Sequence, residues 1–233
     1  AYFYGFMLTD GWVNERILTS GIKISVRDID LLKSFKKYLK TDRPIKIIKD
    51  KSYTYGTKKI KKNKSAFIQI GIRKIVKDLI NLGVRQNKSY NVKFPNTNIV
   101  PHKLMPHFIR GIYDGDGTIG KSGLASFTSG SKNFLKGLKN YLNKYKITNT
   151  KIIKYDTEVN YTKTPIIYYR LQINSLIDIN KRHFRQSKTG GFLKIKNKNK
   201  SENSKRFFKL IYNNCSKDLF LKRKKQKVKQ YLG

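Results

Sequence analysis

The chain has 233 residues, 38% hydrophobic and 12% aromatic, enough to build one large domain or two fused small ones. Its 52 Lys and Arg against 14 Asp and Glu leave a formal charge of +38, which points to a polyanion partner rather than to an ordinary metabolic enzyme. A single cysteine, Cys215, excludes a disulfide framework and a Cys-rich zinc site, and no apolar run reaches the ~18 residues of a membrane span.

Residues 2–10 are apolar enough for a buried helix, with Gly11 placed to end it. Ile22, Ile24 and Val26 alternate with polar residues as in a strand. Asp28 or Asp30 can cap the next helix, where Leu31, Leu32, Phe35 and Leu39 share a face. Strands are expected at Ile45–Ile48 and over Ala66, Ile68, Ile70 and Ile72. The Lys-rich stretch 49–64 between them is expected to be a loop, and Ile75, Leu79 and Leu82 predict a short helix ending at Gly83. A second set follows in the same order: a helix over 104–116, a strand at Leu124–Thr128, and a Ser131-capped helix carrying Phe134, Leu135, Leu138, Tyr141 and Leu142. Strands come next at Ile152–Tyr155 and Tyr169–Ile173, then a Lys/Asn/Ser-rich loop over 194–206. The most basic segment of all is 221–229.

The chain therefore reads as two related halves, 1–95 and 104–233, around a proline-bearing linker whose middle is 96–103. The second helices show the repeat directly: L-L-K-S-F-K-K-Y-L at 31–39 and F-L-K-G-L-K-N-Y-L at 134–142 agree at five of nine positions. The first helices end in F-Y-G-F-M-L-T-D-G at 3–11 and I-R-G-I-Y-D-G-D-G at 109–117, with Gly5 and Gly111 each five residues before an acid, Asp10 and Asp116.

Each acid falls at a helix C-terminus, where the macrodipole disfavours a carboxylate. Two such acids brought together on a pseudo-twofold axis call for a cation, and an all-oxygen set suits Mg²⁺. Gly5 and Gly111 remove side chains where the two helices can approach closely. The symmetry fits a partner that is itself nearly twofold symmetric, such as duplex DNA.

With both motifs present, the sequence resembles the LAGLIDADG homing endonucleases in their single-chain, two-motif form, from Tyr2 to about Lys229. The resemblance implies an α+β fold of two αββαββα halves. In it the motif helices pack at the centre, and two four-stranded antiparallel sheets form a saddle over the major groove. It implies a monomeric, metal-dependent endonuclease that cuts both strands and leaves four-base 3′ overhangs. Asp10 and Asp116 match the family's metal-binding acids, joined by the carbonyls of Thr9 and Gly115. The family's basic residue near each scissile phosphate falls on Lys88 of R-Q-N-K-S in the first half. For the second half Lys224 is chosen, with Lys188 of R-Q-S-K-T and Lys217 left open. The first motif has Leu8 and Thr9 where the second has Asp114 and Gly115.

Base reading is expected from outward strand positions: Lys23, Ser25, Gln69, Gly71, Thr128, Arg170 and Gln172, with Arg suited to guanine and Gln to adenine. The alternative on the same fold is a maturase binding intron RNA without cutting. His102, His107 and His183 do not form an H-N-H arrangement, and G-I-Y at 111–113 lacks a spaced Y-I-G partner. No secretory leader is visible, and the chain opens inside the first motif without Met, so native N-terminal residues are expected to be missing. The Lys, Asn, Ile and Tyr bias suggests an AT-rich source: an intracellular protein of an organelle such as the mitochondrion, or of phage or bacterial cytoplasm.

Overall fold

The computed structural model describes residues 1–49, 53–55, 58–60, 64–86, 88–120, 123–148, 150–159, 162–173, 202–215 and 218–232. The first half runs α1 (Tyr2–Thr9), β1 (Gly11–Asn14), β2 (Thr19–Ser25), α2 (Ile29–Tyr38), β3 (Lys46–Lys49), β4 (Tyr53–Tyr55), β5 (Lys58–Ile60), β6 (Lys64–Ile70) and α3 (Arg73–Asn81). The second runs α4 (Met105–Asp116), β7 (Gly117–Ile119), β8 (Ala125–Ser129), α5 (Lys132–Lys144), β9 (Thr150–Val159), β10 (Thr162–Ile173), α6 (Glu202–Tyr212) and α7 (Lys222–Leu232). The fold is α+β, with two four-stranded antiparallel sheets ordered β1-β2-β6-β3 and β7-β8-β10-β9.

Period-two alternation sets the faces of both sheets. Ile22 and Ile24 of β2 and Ala66, Ile68 and Ile70 of β6 are buried under α2 and α3, while Lys23 and Gln69 point outward. Phe127, Leu171 and Ile173 do the same under α5. Ser131 caps α5, its hydroxyl accepting from the Phe134 amide at 3.2 Å, and Gly83 takes a left-handed φ of +87° just beyond α3. Buried apolar side chains from both halves join in one cluster.

Several expectations need correction. β1 and β7 follow the motif helices as the αββαββα resemblance implies, although the alternation of apolar residues marked no strand there. The stretch 49–64 is not simply a loop, because β4 and β5 pair there as a small hairpin. Ile72 precedes α3 and does not extend β6, and Gly71 likewise lies past the strand end. The loop expected over 194–206 gives way to α6 at Glu202, and the basic run 221–229 is helical, in α7. Asp28 occupies the N-cap of α2 but makes no side-chain cap bond; its carboxylate accepts from Arg223 of α7 at 2.8 and 3.1 Å.

Candidate active site

The two motif helices cross at their glycines. A Cβ on Gly5 would sit 2.2 Å from the Phe108 carbonyl oxygen, and one on Gly111 would sit 2.2 Å from that of Tyr2. Real Cβ atoms do not approach so closely, so backbone meets backbone here only because both residues are glycine. A second contact follows one turn on, where a Cβ on Gly115 would overlap the Thr9 side chain. Thr9 turns its own hydroxyl back to the Phe6 carbonyl at 2.9 Å. The next residues, Asp10 at the C-cap of α1 and Asp116 at the last position of α4, are both exposed. The helix crossing therefore delivers two carboxylates to adjoining helix ends.

The donors at this point are all oxygen: the carboxylates of Asp10 and Asp116 and the carbonyls of Thr9 and Gly115, at helix ends where carbonyls lack intrahelical partners. Such a set fits a hard divalent cation such as Mg²⁺. Among the described residues no cluster of three or more His, Cys, Asp or Glu forms.

Lys224 reaches this centre from α7 and is buried. Its ammonium donates to the carbonyls of Tyr113 (2.6 Å), Gly117 (2.6 Å) and Gly115 (3.3 Å). Three donors thus meet three carbonyls at the end of α4, where a cation also suits the helix dipole. Burial pushes the Lys224 ammonium down to about 8; Asp114, Asp10 and Asp116 oppose the shift and Arg223 adds to it. Lys224, which the resemblance puts near a scissile phosphate, here donates to the backbone at the end of the motif helix. Lys88 opens a 3-10 turn, Lys88–Tyr90. Lys188 and Lys217 lie outside the described residues.

A polar hub that the sequence reading did not foresee lies behind the acids. Asp114 is fully buried and accepts from Tyr2 (2.7 Å), Tyr212 (2.8 Å) and the Leu221 amide (2.9 Å). Burial raises its pKa, against the pull of those three donors and of Lys224. Asp114 thus ties α4 to α1, α6 and the start of α7, which explains why an acid replaces the leucine found at Leu8. Arg110, also buried, donates to the carbonyls of Ile211 (2.8 Å) and Leu219 (3.0 Å). An arginine inside an apolar helix was the one available hint.

The outward sheet faces carry the expected recognition residues, and the strand registers match them between halves. Trp12 corresponds to Thr118, Lys23 to Thr128, Phe67 to Arg170 and Gln69 to Gln172. The chemistry at matched positions differs. In the first sheet Trp12 stacks on Phe67, with centroids 6.2 Å apart and planes at 9°. In the second, the Arg170 guanidinium lies 4.9 Å over Tyr155, itself stacked on Tyr168, and its Nε is buried without a hydrogen-bond partner among the described residues. Ser25 lies half-buried at the end of β2.

A sequence model of the LAGLIDADG-like domain matches residues 104–224, more than half of the chain. A probable translation initiation factor IF-2 of Methanocaldococcus jannaschii is 30% identical over 201 residues, 85% of this chain but 15% of that protein, so the chain spans only a small part of this relative. Full-length WhiA from Thermatoga maritima is 12% identical, with 99% of this chain and 58% of that one covered at a TM-score of 0.48. I-SmaMI bound to an uncleaved DNA target in the presence of calcium ions is 11% identical, with 100% and 97% covered at a TM-score of 0.41. The acid-bearing helices meeting through Gly5 and Gly111, and the domain match over 104–224, agree: the chain belongs to the LAGLIDADG-like domain family.

Proposed function

We propose that the chain is a site-specific DNA endonuclease that hydrolyses both strands of a long duplex target and leaves four-base 3′ overhangs. The observation that carries this reading is the placement of Asp10 and Asp116 at adjoining C-termini of two helices locked together through glycine. A net charge of +38 and two sheets with Lys, Arg, Gln and Thr facing outward supply a surface suited to a polyanion. Mg²⁺ held by Asp10, Asp116 and the carbonyls of Thr9 and Gly115 would supply Lewis-acid stabilisation and a more acidic bound water. The chain's own contribution is positional. Gly5 and Gly111 set the spacing of the helices, and Lys224 fixes the last turn of α4 by holding the carbonyls of residues 113, 115 and 117. Lys88 is assigned to the scissile phosphate in the first half. One chain carries both motifs, so a monomer suffices.

The test is to incubate the purified protein and Mg²⁺ with randomised duplexes and sequence the cut ends. Wild type should yield one preferred long target with four-base 3′ overhangs. Asp10→Asn and Asp116→Asn should each abolish double-strand cutting while DNA binding in EDTA persists. Cutting of both strands by either variant at the wild-type rate would show that these acids do not form the catalytic centre.

A further inference from the structure

A second concave site lies at the other end of α4. A cavity of about 590 Å³ opens between the start of α4, the end of α6 and Tyr145 at the C-cap of α5. Lys103, His107, Arg110, Arg206 and Lys209 line it, and among the described residues no carboxylate does. The distance along α4 from Met105 to Asp116 is about 16 Å at the usual rise per residue, so this site is separate from the acids.

Its floor is built of fixed donors. Arg110 uses three N–H groups, toward the Ile211 and Leu219 carbonyls and His107 Nδ1 at 3.0 Å, and a guanidinium has more donors than these. Because a guanidinium only donates, His107 accepts through Nδ1 and carries its proton on Nε2, which is a further donor. Arg206 is partly engaged, with Glu202 at 3.5 Å and the Lys146 carbonyl at 3.3 Å. Lys103 and Lys209 are exposed at the rim. One wall is aromatic: Tyr145 packs on Tyr141 with centroids 5.2 Å apart, their hydroxyls 2.9 Å apart, and His102 stacks on the same Tyr141 ring at 22°.

We propose that this cavity binds a nucleotide unit, its phosphate held by Arg110, Lys103 and Lys209 and its base stacked on the Tyr145 side. A phosphate accepts hydrogen bonds and carries the negative charge that this cationic cavity, with no carboxylate among the described residues lining it, does not supply. The volume lies within the range of small-ligand pockets and far exceeds what one inorganic anion fills. Stacking on an exposed tyrosine requires an unpaired base, which a closed duplex does not offer. The ligand is therefore a free nucleotide or one exposed nucleotide of a single strand. This inference does not rest on DNA cleavage and stands or falls without it.

The test is calorimetric titration of the full chain with adenosine 5′-monophosphate, inorganic phosphate and a 5′-phosphorylated single-stranded oligonucleotide. The monophosphate should bind about tenfold or more tighter than inorganic phosphate, since a base stack is worth ~1–3 kcal/mol. Lys209→Glu and Tyr145→Ala should each weaken it about tenfold. Lys77→Glu on α3, with the same change in net charge as Lys209→Glu, should leave it unchanged. An oligonucleotide that binds far tighter than the monophosphate identifies a strand as the source; equal affinities identify a free nucleotide. Equal binding of monophosphate and inorganic phosphate overturns the proposal. So does no binding at all, or equal losses in Lys209→Glu and Lys77→Glu.

Discussion

Tyr4 and Arg110 stand at the same place in their motif helices, one residue before the crossing glycine. Both reach the C-terminal end of the third helix of their own half: Tyr4 donates to the Leu82 carbonyl at 2.7 Å beyond α3, and Arg110 to the Ile211 carbonyl at 2.8 Å in α6. Four residues further on the two diverge, Leu8 being apolar and Asp114 a carboxylate bonded by three donors. What differs is the load behind each helix. The second motif helix also holds α7 in place, through Asp114 to Leu221 and through the carbonyls that receive Lys224. The crossing glycines and the acids are matched, while the residues between them, Leu8 and Asp114, Thr9 and Gly115, follow what packs against each.

Exchanging the divergent residues gives the largest expected effect. Asp114→Leu should cost about 3–5 kcal/mol in chemical denaturation, because it strands buried donors from three elements. Leu8→Asp should also destabilise, by burying a carboxylate that has no prepared donors; tolerance of both exchanges would break the comparison. Next, Gly5→Ala and Gly111→Ala should each cost about 3 kcal/mol, and by similar amounts, since each new methyl meets a carbonyl of the opposite helix. A large difference between the two would show that the crossing is not symmetric in energy.

At the sheets, Arg170→Ala should lose about 1–3 kcal/mol of discrimination at one base pair, read from binding to randomised duplexes in EDTA. Phe67→Ala, at the matched position, should relax preference without a guanine signature, because stacked rings offer no bidentate donor. A uniform loss across sequences would instead make Arg170 a phosphate contact.

The smallest effect concerns pH. His107 titrates below its ordinary value because of burial and, secondarily, the neighbouring Arg110. Its contribution to stability is therefore present above pH ~6.5 and lost as pH falls through the lowered value. Tyr4 has no such neighbour in its role, so only the second half should show the effect. His107→Asn should remove it, narrowing the gap to wild type by about 1 kcal/mol or less on acidification.

Most of the fold was legible because its helices and longer strands carry regular apolar periods, as at Ile22–Ile24, Ala66–Ile70 and Phe134–Leu142. β1 and β7 came only from the resemblance and not from periodicity, because strands of four and three residues are too short to show alternation, and each begins on the glycine of a D-G pair that also signals a turn. α7 was hidden by its composition. It buries little beyond Lys224 and Val228, so lysine dominates its sequence while position and ion pairs hold it. In the site, Asp10, Asp116 and the two glycines were readable because repetition marks them. The partners of Asp114 lie 98 to 112 residues away in sequence, and no local pattern records such contacts.

The bond between Arg223 and Asp28 spans 195 residues. On a ribosome adding about 5–20 residues per second, the buried carboxylate of Asp28 exists for roughly 10–40 s before its guanidinium partner is made. Lys222, which meets Asp30 at 2.5 Å, arrives at the same late moment. The first half must therefore carry an open acidic notch on α2 until nearly all of the second half has been made, in a chain otherwise crowded with lysine. This brace closes only once α7 emerges, so termination before residue 222 would leave two complete motif helices in halves that lack it.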